Sequence, residues 1–384
     1  MFKIPSKIQY VIDTLYSAGY EAYAVGGCVR DMLMGKIPDD YDVATSASPR
    51  AVSELFESTV PTGIKHGTVT VIIDREPIEV TTYREESGYA DNRRPDKVEF
   101  VTDLEKDLKR RDFTVNAMAY NTKEGLKDFF GGREDIKNKI LRAVGNPYER
   151  FSEDSLRILR LFRFASTLGF NIEKQTLEAS LELSKGLSNI SVERIFTELY
   201  KAVKGDNFKI ISALLDCGGL SFLDIPKVPD FSLIKKCREN SDLAFYLFIS
   251  SGDTEKILEK LKVSNKLKSY CKTMDILKSM PVPSERKEIK EMLNISGEEI
   301  LRDYLNTFDN GETLCNILDE IIELGEPYSI KHLKISGKTV KGLGYSGNEI
   351  GEALEKARKH VVLHPECNNK EDLRAILSKN NTNS

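Results

Sequence analysis

The chain has 384 residues, 40% hydrophobic and 30% charged, enough apolar material for a packed core. At roughly 150 residues per domain, two or three structural units are expected. Lysine and arginine (56) fall short of aspartate and glutamate (60), and the net charge of −4 excludes a generic polybasic nucleic-acid binder while leaving room for a local basic face.

The longest apolar run is Leu243 to Ile249, far short of the roughly 20 residues of a membrane helix, so no membrane contact is expected. Met1-Phe2-Lys3-Ile4-Pro5 has no apolar core before a small-residue cleavage site, so no signal peptide is expected. The six cysteines are scattered without a CxxC pair, and there are only four histidines. Reduced thiols in a cytoplasmic protein fit better than a disulfide framework or a zinc site.

In chain order, Ile8, Val11, Ile12 and Leu15 recur with helical period and predict an amphipathic helix ended by Gly19. Ala22 to Val25 predicts a short strand running into Gly26-Gly27. Val69 to Ile73 and Ile78 to Tyr83 predict a hairpin across Asp74-Arg75-Glu76-Pro77. Gly145-Asn146-Pro147 punctuates the chain, and everything beyond reads as helical. A glycine-rich segment, Ile335 to Gly351, precedes a last helix, and Asn380 to Ser384 reads as a frayed tail. The class expected is α+β, with a small sheet in an N-terminal head and an all-helical remainder.

Asp40-Tyr41-Asp42-Val43, read as a strand, places Asp40 and Asp42 on one face about 7 Å apart, where two carboxylates can hold hard divalent cations. Read blandly, it is a polar turn. Upstream, Gly26-Gly27-Cys28-Val29-Arg30-Asp31 ends a strand and starts a helix. Glycines let backbone N–H groups approach phosphate, and Arg30 could clamp the anion. Glu79 alternates against Ile78 and Val80, as a third carboxylate or a solvent-facing strand residue. Arg110-Arg111-Asp112 with Asn116 could hold a triphosphate and a ribose hydroxyl, or form ion pairs at a surface helix start.

Together these motifs resemble the class II tRNA nucleotidyltransferases, which contain the bacterial CCA-adding enzymes and relatives that add only CC, only A, or poly(A). The resemblance rests on GGxVRD, the DxD, His66 to Val71 (HGTVTV), Glu79 to Arg84 (EVTTYR) and RRDFTVNA. It continues through Asp128 to Gly132, Glu153-Asp154-Ser155-Leu156-Arg157 and Arg194 to Leu199, with a separate match over Ile335 to Gly351. It implies a nucleotidyltransferase head (1–145), a base-reading neck (146–210), a body (211–330) and a tRNA-holding tail (331–384). The activity implied is template-independent transfer of CMP, CMP and AMP from CTP and ATP to the 3′ acceptor end of tRNA. No obligate protein partner is evident. Asp40 and Asp42 match the catalytic Mg²⁺ ligands. Gly27, Arg30 and Arg111 match nucleotide contacts, and Gly26, Asp112, Asn116 and Glu153 lie beside them.

The neck gives the sharpest expectation. Ser152 is a plausible cap, and Ile158, Leu161, Phe162 and Ala165 mark one apolar face that Asp154 would share four residues earlier. A carboxylate aimed inward needs a partner, and Arg157 is three residues on. Cytosine and adenine both present an amino donor beside a ring-nitrogen acceptor. A carboxylate with a guanidinium therefore reads both, and uracil and guanine invert the pattern. In the family Asp154 and Arg157 match that role, with Arg160 and Arg163 as further nucleotide contacts. Arg194 and Glu198 are expected to pair with each other at i, i+4. The lysines from Lys260 to Lys272 form either a solvated face or an RNA-phosphate contact.

CC-adding relatives lack a loop that is present here as Arg84 to Pro95, which disfavours CC-only addition. Asn92 and Arg94 stand where many relatives carry glycine and histidine. An A-adding enzyme is the runner-up, and a non-catalytic tRNA-binding protein is the remoter alternative.

Overall fold

The computed structural model describes residues 2–87, 97–225 and 229–378, and the chain divides into two compact units, Met1–Lys262 and Val263–Ser384.

The first unit opens with helix α1 (Ser6–Ser17), which buries Ile8, Val11, Ile12 and Leu15, the residues its periodicity singles out. Strand β1 (Ala22–Val25) follows, then α2 (Gly27–Leu33), β2 (Asp42–Thr45), α3 (Pro49–Leu55), β3 (Thr59–Gly63), β4 (Thr68–Ile73) and β5 (Glu76–Thr82). The β4–β5 turn is tighter than expected. Asp74 and Arg75 alone make it, both with positive φ, while Glu76 and Pro77 join β5. A two-residue turn of that hand matches the twist of its strands. Strands β6 (Arg84–Ser87) and β7 (Lys97–Phe100) form a separate ribbon. The sequence-level loop from Arg84 to Pro95 therefore begins as β6, and its remainder, with Asn92 and Arg94, lies outside the described residues.

Helix α4 (Leu104–Lys109), β8 (Ala119–Asn121), β9 (Gly125–Lys127), α5 (Gly132–Asn138) and β10 (Ile140–Leu141) complete the head. Seven strands form one sheet in the order β3-β4-β5-β2-β1-β8-β9. Its pairs are antiparallel except β2–β5, which run parallel and set Asp42 opposite Glu79. Strand β1 is buried on both faces. Ala22 and Ala24 pack with α1 and with Val43, Val69 and Val80, whereas Tyr23 and Val25 pack with Tyr83, Leu104 and Leu108. A central strand covered on both sides reads as a continuous apolar run, which is why Ala-Tyr-Ala-Val is legible.

The segment Asp128 to Gly132 has a structural job. The Asp128 carboxylate accepts from the Gly132 and Arg133 N–H groups at 2.8 Å, capping α5. A Cβ on Gly132 would come within 2.3 Å of the Thr114 carbonyl. Only glycine lets α5 close on the turn Thr114–Asn116 that carries Asn116.

Beyond the head run α6 (Pro147–Glu153), α7 (Leu156–Leu168), α8 (Lys174–Glu182), α9 (Val192–Ala202), α10 (Ser212–Asp216), α11 (Phe231–Lys236), α12 (Ser241–Ile249) and α13 (Thr254–Lys260). One departure from the all-helical expectation is a strand β11 (Asn171–Ile172), which pairs parallel with β10. The apolar run Leu243 to Ile249 is α12, with Leu243, Phe245, Phe248 and Ile249 buried in the core. Among the described residues no helix is long and apolar enough to cross a membrane.

The second unit contains α14 (Asn265–Ser279), α15 (Arg286–Leu305), α16 (Gly311–Glu323), α17 (Gly337–Gly342), α18 (Glu349–Leu363) and α19 (Lys370–Leu377). Two helices, not one, follow the glycine-rich segment, packing Ala357 and Val361 of α18 with Leu373 and Leu377 of α19. Buried cations reinforce this unit. Lys290 meets Glu326 at 2.5 Å, and Arg358 meets Glu291 at 2.7 Å. All six cysteines are free thiols.

Candidate active site

Asp42 opens β2, and Asp40 lies in the chain just before it rather than within the strand. The two aspartates nevertheless line one cavity of about 450 Å³ in the first unit. Burial raises the Asp42 carboxyl above the usual range, the charges of Asp40 and Glu79 add to the rise, and Arg111 offsets part of it. Glu79 does not line this cavity. It lines a neighbouring one of about 570 Å³ that shares Asp40 and Asp42. Among the described residues no set of three His, Cys, Asp or Glu side chains gathers to hold a metal.

Gly26 and Gly27 form one wall. Gly26 has φ +79°, and a Cβ there would stand 2.8 Å from Arg111 Nη1. Glycine thus admits a guanidinium against the backbone as well as permitting the turn. Arg30, buried, gives Nε and Nη2 to Asp31 at 2.9 Å and Nη1 to Asn116 at 2.8 Å. Three of its five N–H donors are engaged, so the open fork expected for an anion is partly occupied.

The Arg110-Arg111-Asp112 cluster is no surface helix start. Asp107 is fully buried and takes Arg110 at 2.8 Å and Arg111 at 3.4 Å. Asp112 is buried as well. It accepts from Arg160 at 2.7 Å, from the Asn116 amide at 3.3 Å and from the Phe113 N–H at 2.9 Å. Burial alone would push its carboxyl up, but the Arg160 guanidinium overcomes that and holds it down at about 2. Asp112 is therefore an anchor for Arg160 and Asn116.

The neck corrects the sequence reading. The helix expected to start from a Ser152 cap starts at Leu156 as α7; Ser152 lies in the preceding α6, and the two are broken at Asp154, whose backbone is extended. Asp154 therefore does not share the apolar helix face, although Ile158, Leu161, Phe162 and Ala165 are fully buried as expected. Its partner is not Arg157. One carboxylate oxygen accepts the Leu156 N–H at 3.0 Å, and the other meets Arg194 at 2.9 Å. Arg157 instead binds Glu153 at 2.5 Å and the carbonyls of Arg150 and Arg110 at 3.1 Å. The expected Arg194–Glu198 pair is replaced by two contacts from α9 to the neck: Arg194 with Asp154, and Glu198 with Arg163 at 2.6 Å.

Asp40, Asp42, Gly26, Gly27, Arg30, Arg111, Asp112, Asn116, Asp154, Arg157 and Arg160 thus meet in one cavity, whereas Glu79, Glu153 and Arg163 do not line it. Arg110, of the expected arginine cluster, lines it too, as do Phe164, which sequence reasoning passed over, and Arg194, which it read only as a partner of Glu198. Arg194 lies in a motif already singled out, so it carried a signal. Phe164 carried none beyond its place in an apolar helix. Of the lysine run, Lys260 pairs with Asp224 at 2.7 Å and Lys262 with Glu193 at 3.3 Å, both in the first unit. Lys266, Lys268 and Lys272 lie on α14 of the second.

Six arginines and four aspartates around one cavity, on a mixed sheet followed by helices, define a polymerase-type nucleotidyltransferase head. Residues 22–142 match the poly A polymerase head domain, and residues 169–223 match the probable RNA and SrmB-binding site of polymerase A. The CCA-adding enzyme of Lactobacillus helveticus is 38% identical over 93% of this chain and 92% of its own length. That of Oceanobacillus iheyensis is 47% identical over 61% of this chain and 59% of the relative. The Bacillus stearothermophilus CCA-adding enzyme, solved in complex with CTP, superposes with a TM-score of 0.79 at 30% identity, over 98% of this chain and 97% of that one. The chain belongs to the CCA-adding enzymes, a family of tRNA nucleotidyltransferases.

Proposed function

We propose that this enzyme adds C, C and A in turn to the 3′ end of tRNA from CTP and ATP, with all three steps performed in the arginine-lined cavity. The observation that carries the reading is the meeting of the Asp40/Asp42 pair with the Asp154/Arg157 pair in that one cavity. The CTP complex of the Bacillus stearothermophilus relative supports CTP as a substrate.

Asp40 and Asp42 are the proposed catalytic carboxylates. Their fit to Mg²⁺ rests on donor chemistry: hard oxygens, mutually repelling, on a carboxyl already raised by burial and by its neighbours. Mg²⁺ ordinarily takes one or two carboxylates plus substrate phosphates and water, so a pair without a third ligand suits it. When bound, it lowers the pKa of the attacking hydroxyl and neutralises charge on the departing pyrophosphate. The chain's residues do the positioning. Arg30, Arg111 and Arg160 face the triphosphate, and Gly26 and Gly27 let it close on the backbone. Asp154 accepts from the amino group of cytosine or adenine while Arg157 donates to the ring nitrogen. With Glu153 and two carbonyls holding Arg157, and Arg194 holding Asp154, both reading groups are oriented before the base arrives.

In functional terms we divide the chain as head 1–145, neck 146–210, body 211–330 and tail 331–384, the last two gripping tRNA. Six free thiols support a cytoplasmic setting. The test uses transcripts ending before CCA, at C and at CC, each with CTP or ATP alone. Two CMP additions followed by one AMP support the reading. AMP addition only to the CC-ended transcript would replace it with an A-adding enzyme.

A further inference from the structure

Phe164, like Leu156, brings no charge and no side-chain hydrogen bond to the cavity wall, yet three guanidinium groups surround it. Arg163 Cζ lies 3.9 Å from the ring centroid, Arg30 Cζ 5.3 Å and Arg160 Cζ 5.5 Å. Arg30 comes from α2 of the head, and Arg160 and Arg163 come from α7. The ring is buried and is fixed edge-to-face on the fully buried Phe113, with centroids 5.8 Å apart at 83°. Arg30 and Arg160 line the cavity with it; Arg163 does not.

We propose that Phe164 is a positioning residue whose ring sets where Arg30 and Arg160 present their guanidinium groups to the phosphates of the incoming nucleotide. The proposal rests on the reading of this cavity as the triphosphate site. Each of the three cations has a carboxylate of its own: Asp31 for Arg30, Asp112 for Arg160 and Glu198 for Arg163. The ion pairs of Arg30 and Arg160 hold each guanidinium by one edge, and the two cations repel each other. The negative π-face holds both cations at one ring without neutralising either. It thereby links a head residue to a neck residue across the cavity and leaves their unused N–H donors aimed inward. The ring acts on anion binding and not on base choice, because Asp154 and Arg157 carry the base reading.

The test separates phosphate binding from base reading and ring electrostatics from ring volume. In the full-length enzyme, Phe164 is replaced by tyrosine, by leucine and by a ring-fluorinated phenylalanine, which keeps the shape but cancels the quadrupole. Inhibition by inorganic tripolyphosphate, inhibition by CMP, and KM and kcat for CTP and ATP are measured. Phe164→Leu and the fluorinated ring should raise KM for both nucleotides and Ki for tripolyphosphate together, by roughly five- to tenfold. kcat, Ki for CMP and the CTP/UTP ratio should stay put, and Phe164→Tyr should remain near the parent. A rise in the CMP Ki with tripolyphosphate unmoved would make the ring a base platform and overturn the proposal. So would a fluorinated enzyme indistinguishable from the parent, a result readable even if the leucine variant fails to fold. Arg30→Gln separates the two layers. If it leaves tripolyphosphate inhibition unchanged, the cavity reading fails and the proposal falls with it. If it weakens inhibition but the fluorinated ring does not, only the proposal falls.

Discussion

Replacing Asp154 by asparagine removes one charge from a side chain with three tasks: capping α7, pairing with Arg194 and, as proposed, accepting from the base amino group. The cap survives, since the asparagine oxygen can still accept the Leu156 N–H that Asp154 holds at 3.0 Å. The ion pair does not. Its side chains are 29% and 16% exposed for Arg194 and Asp154. The loss should therefore fall between that of a surface pair and that of a buried one, about 1–2 kcal/mol. For a unit of this size that lowers the midpoint of thermal unfolding by roughly 2–8 °C. Base choice should change more. The new amide can donate to the uracil carbonyl that the carboxylate rejects, so discrimination against UTP should fall by about 1–3 kcal/mol, or roughly 5- to 150-fold. The assay is kcat/KM for CTP and for UTP on one transcript lacking CCA, with thermal unfolding alongside. Arg194→Met is the companion, since it costs a similar stability while leaving the carboxylate charge in place. If Asp154→Asn loses stability but keeps its CTP/UTP ratio, Asp154 is only the joint between α6 and α7, and the base-reading assignment is refuted.

Burial and neighbouring charge raise Asp42, so its ionised form costs stability above the ordinary aspartate range. In chelator-treated protein at neutral pH, Asp42→Asn should raise the unfolding midpoint by a few degrees, the gain fading below about pH 4, while addition of both CMP and AMP is abolished and tRNA affinity is kept. A destabilised Asp42→Asn would contradict this. Asp112 is depressed to about 2, so its stabilisation is whole above the ordinary value and is lost as pH falls through the folded one. Against Asp112→Asn, the parent's advantage in denaturant unfolding should be about 3–5 kcal/mol at pH 7 and narrow by about 2 kcal/mol between pH 4 and pH 2. Shortening the segment between β6 and β7 should leave CC addition and stop before A. Completion of CCA by that variant would make the segment dispensable, and loss of all three steps would indicate a general defect.

Periodicity made α1, β1 and the β4–β5 hairpin legible because their burial is local: one face of a helix, both faces of a central strand. The cavity's membership was largely legible too, since its residues fall in short motifs. Partner choice was not. Asp154 pairs with Arg194 and Glu198 with Arg163, contacts across 40 and 35 residues, whereas spacing offered Arg157 and Arg194 as nearer mates. The helix start was misread for a related reason. Ser152 looks like a cap and the α7 period extends backward past Asp154, but Asn146 already caps α6 through the Tyr148 N–H at 2.9 Å. The surface alternative stayed open for Asp112 because nothing local indicates that Arg160, 48 residues on, will pair with it.

These partner choices have one consequence for catalysis. A cavity of six unpaired arginines would repel itself apart and would trap any polyanion, pyrophosphate product included. Here neighbouring carboxylates and amides consume part of each arginine's donor set while leaving some N–H groups free, as with the three of five that Arg30 gives to Asp31 and Asn116. The lattice is thus built before substrate arrives and needs little reorganisation when it does. The six arginines are opposed by the four lining aspartates and by Asp31, Asp107 and Glu153, which pair with Arg30, Arg110, Arg111 and Arg157, so the site stands near neutrality. A triphosphate whose charge is partly cancelled by a divalent cation suits such a site better than a bare one. The same arithmetic favours release: pyrophosphate parted from the nucleotide loses the base contacts at Asp154 and Arg157, and a cavity this close to neutrality holds it weakly on phosphate contacts alone.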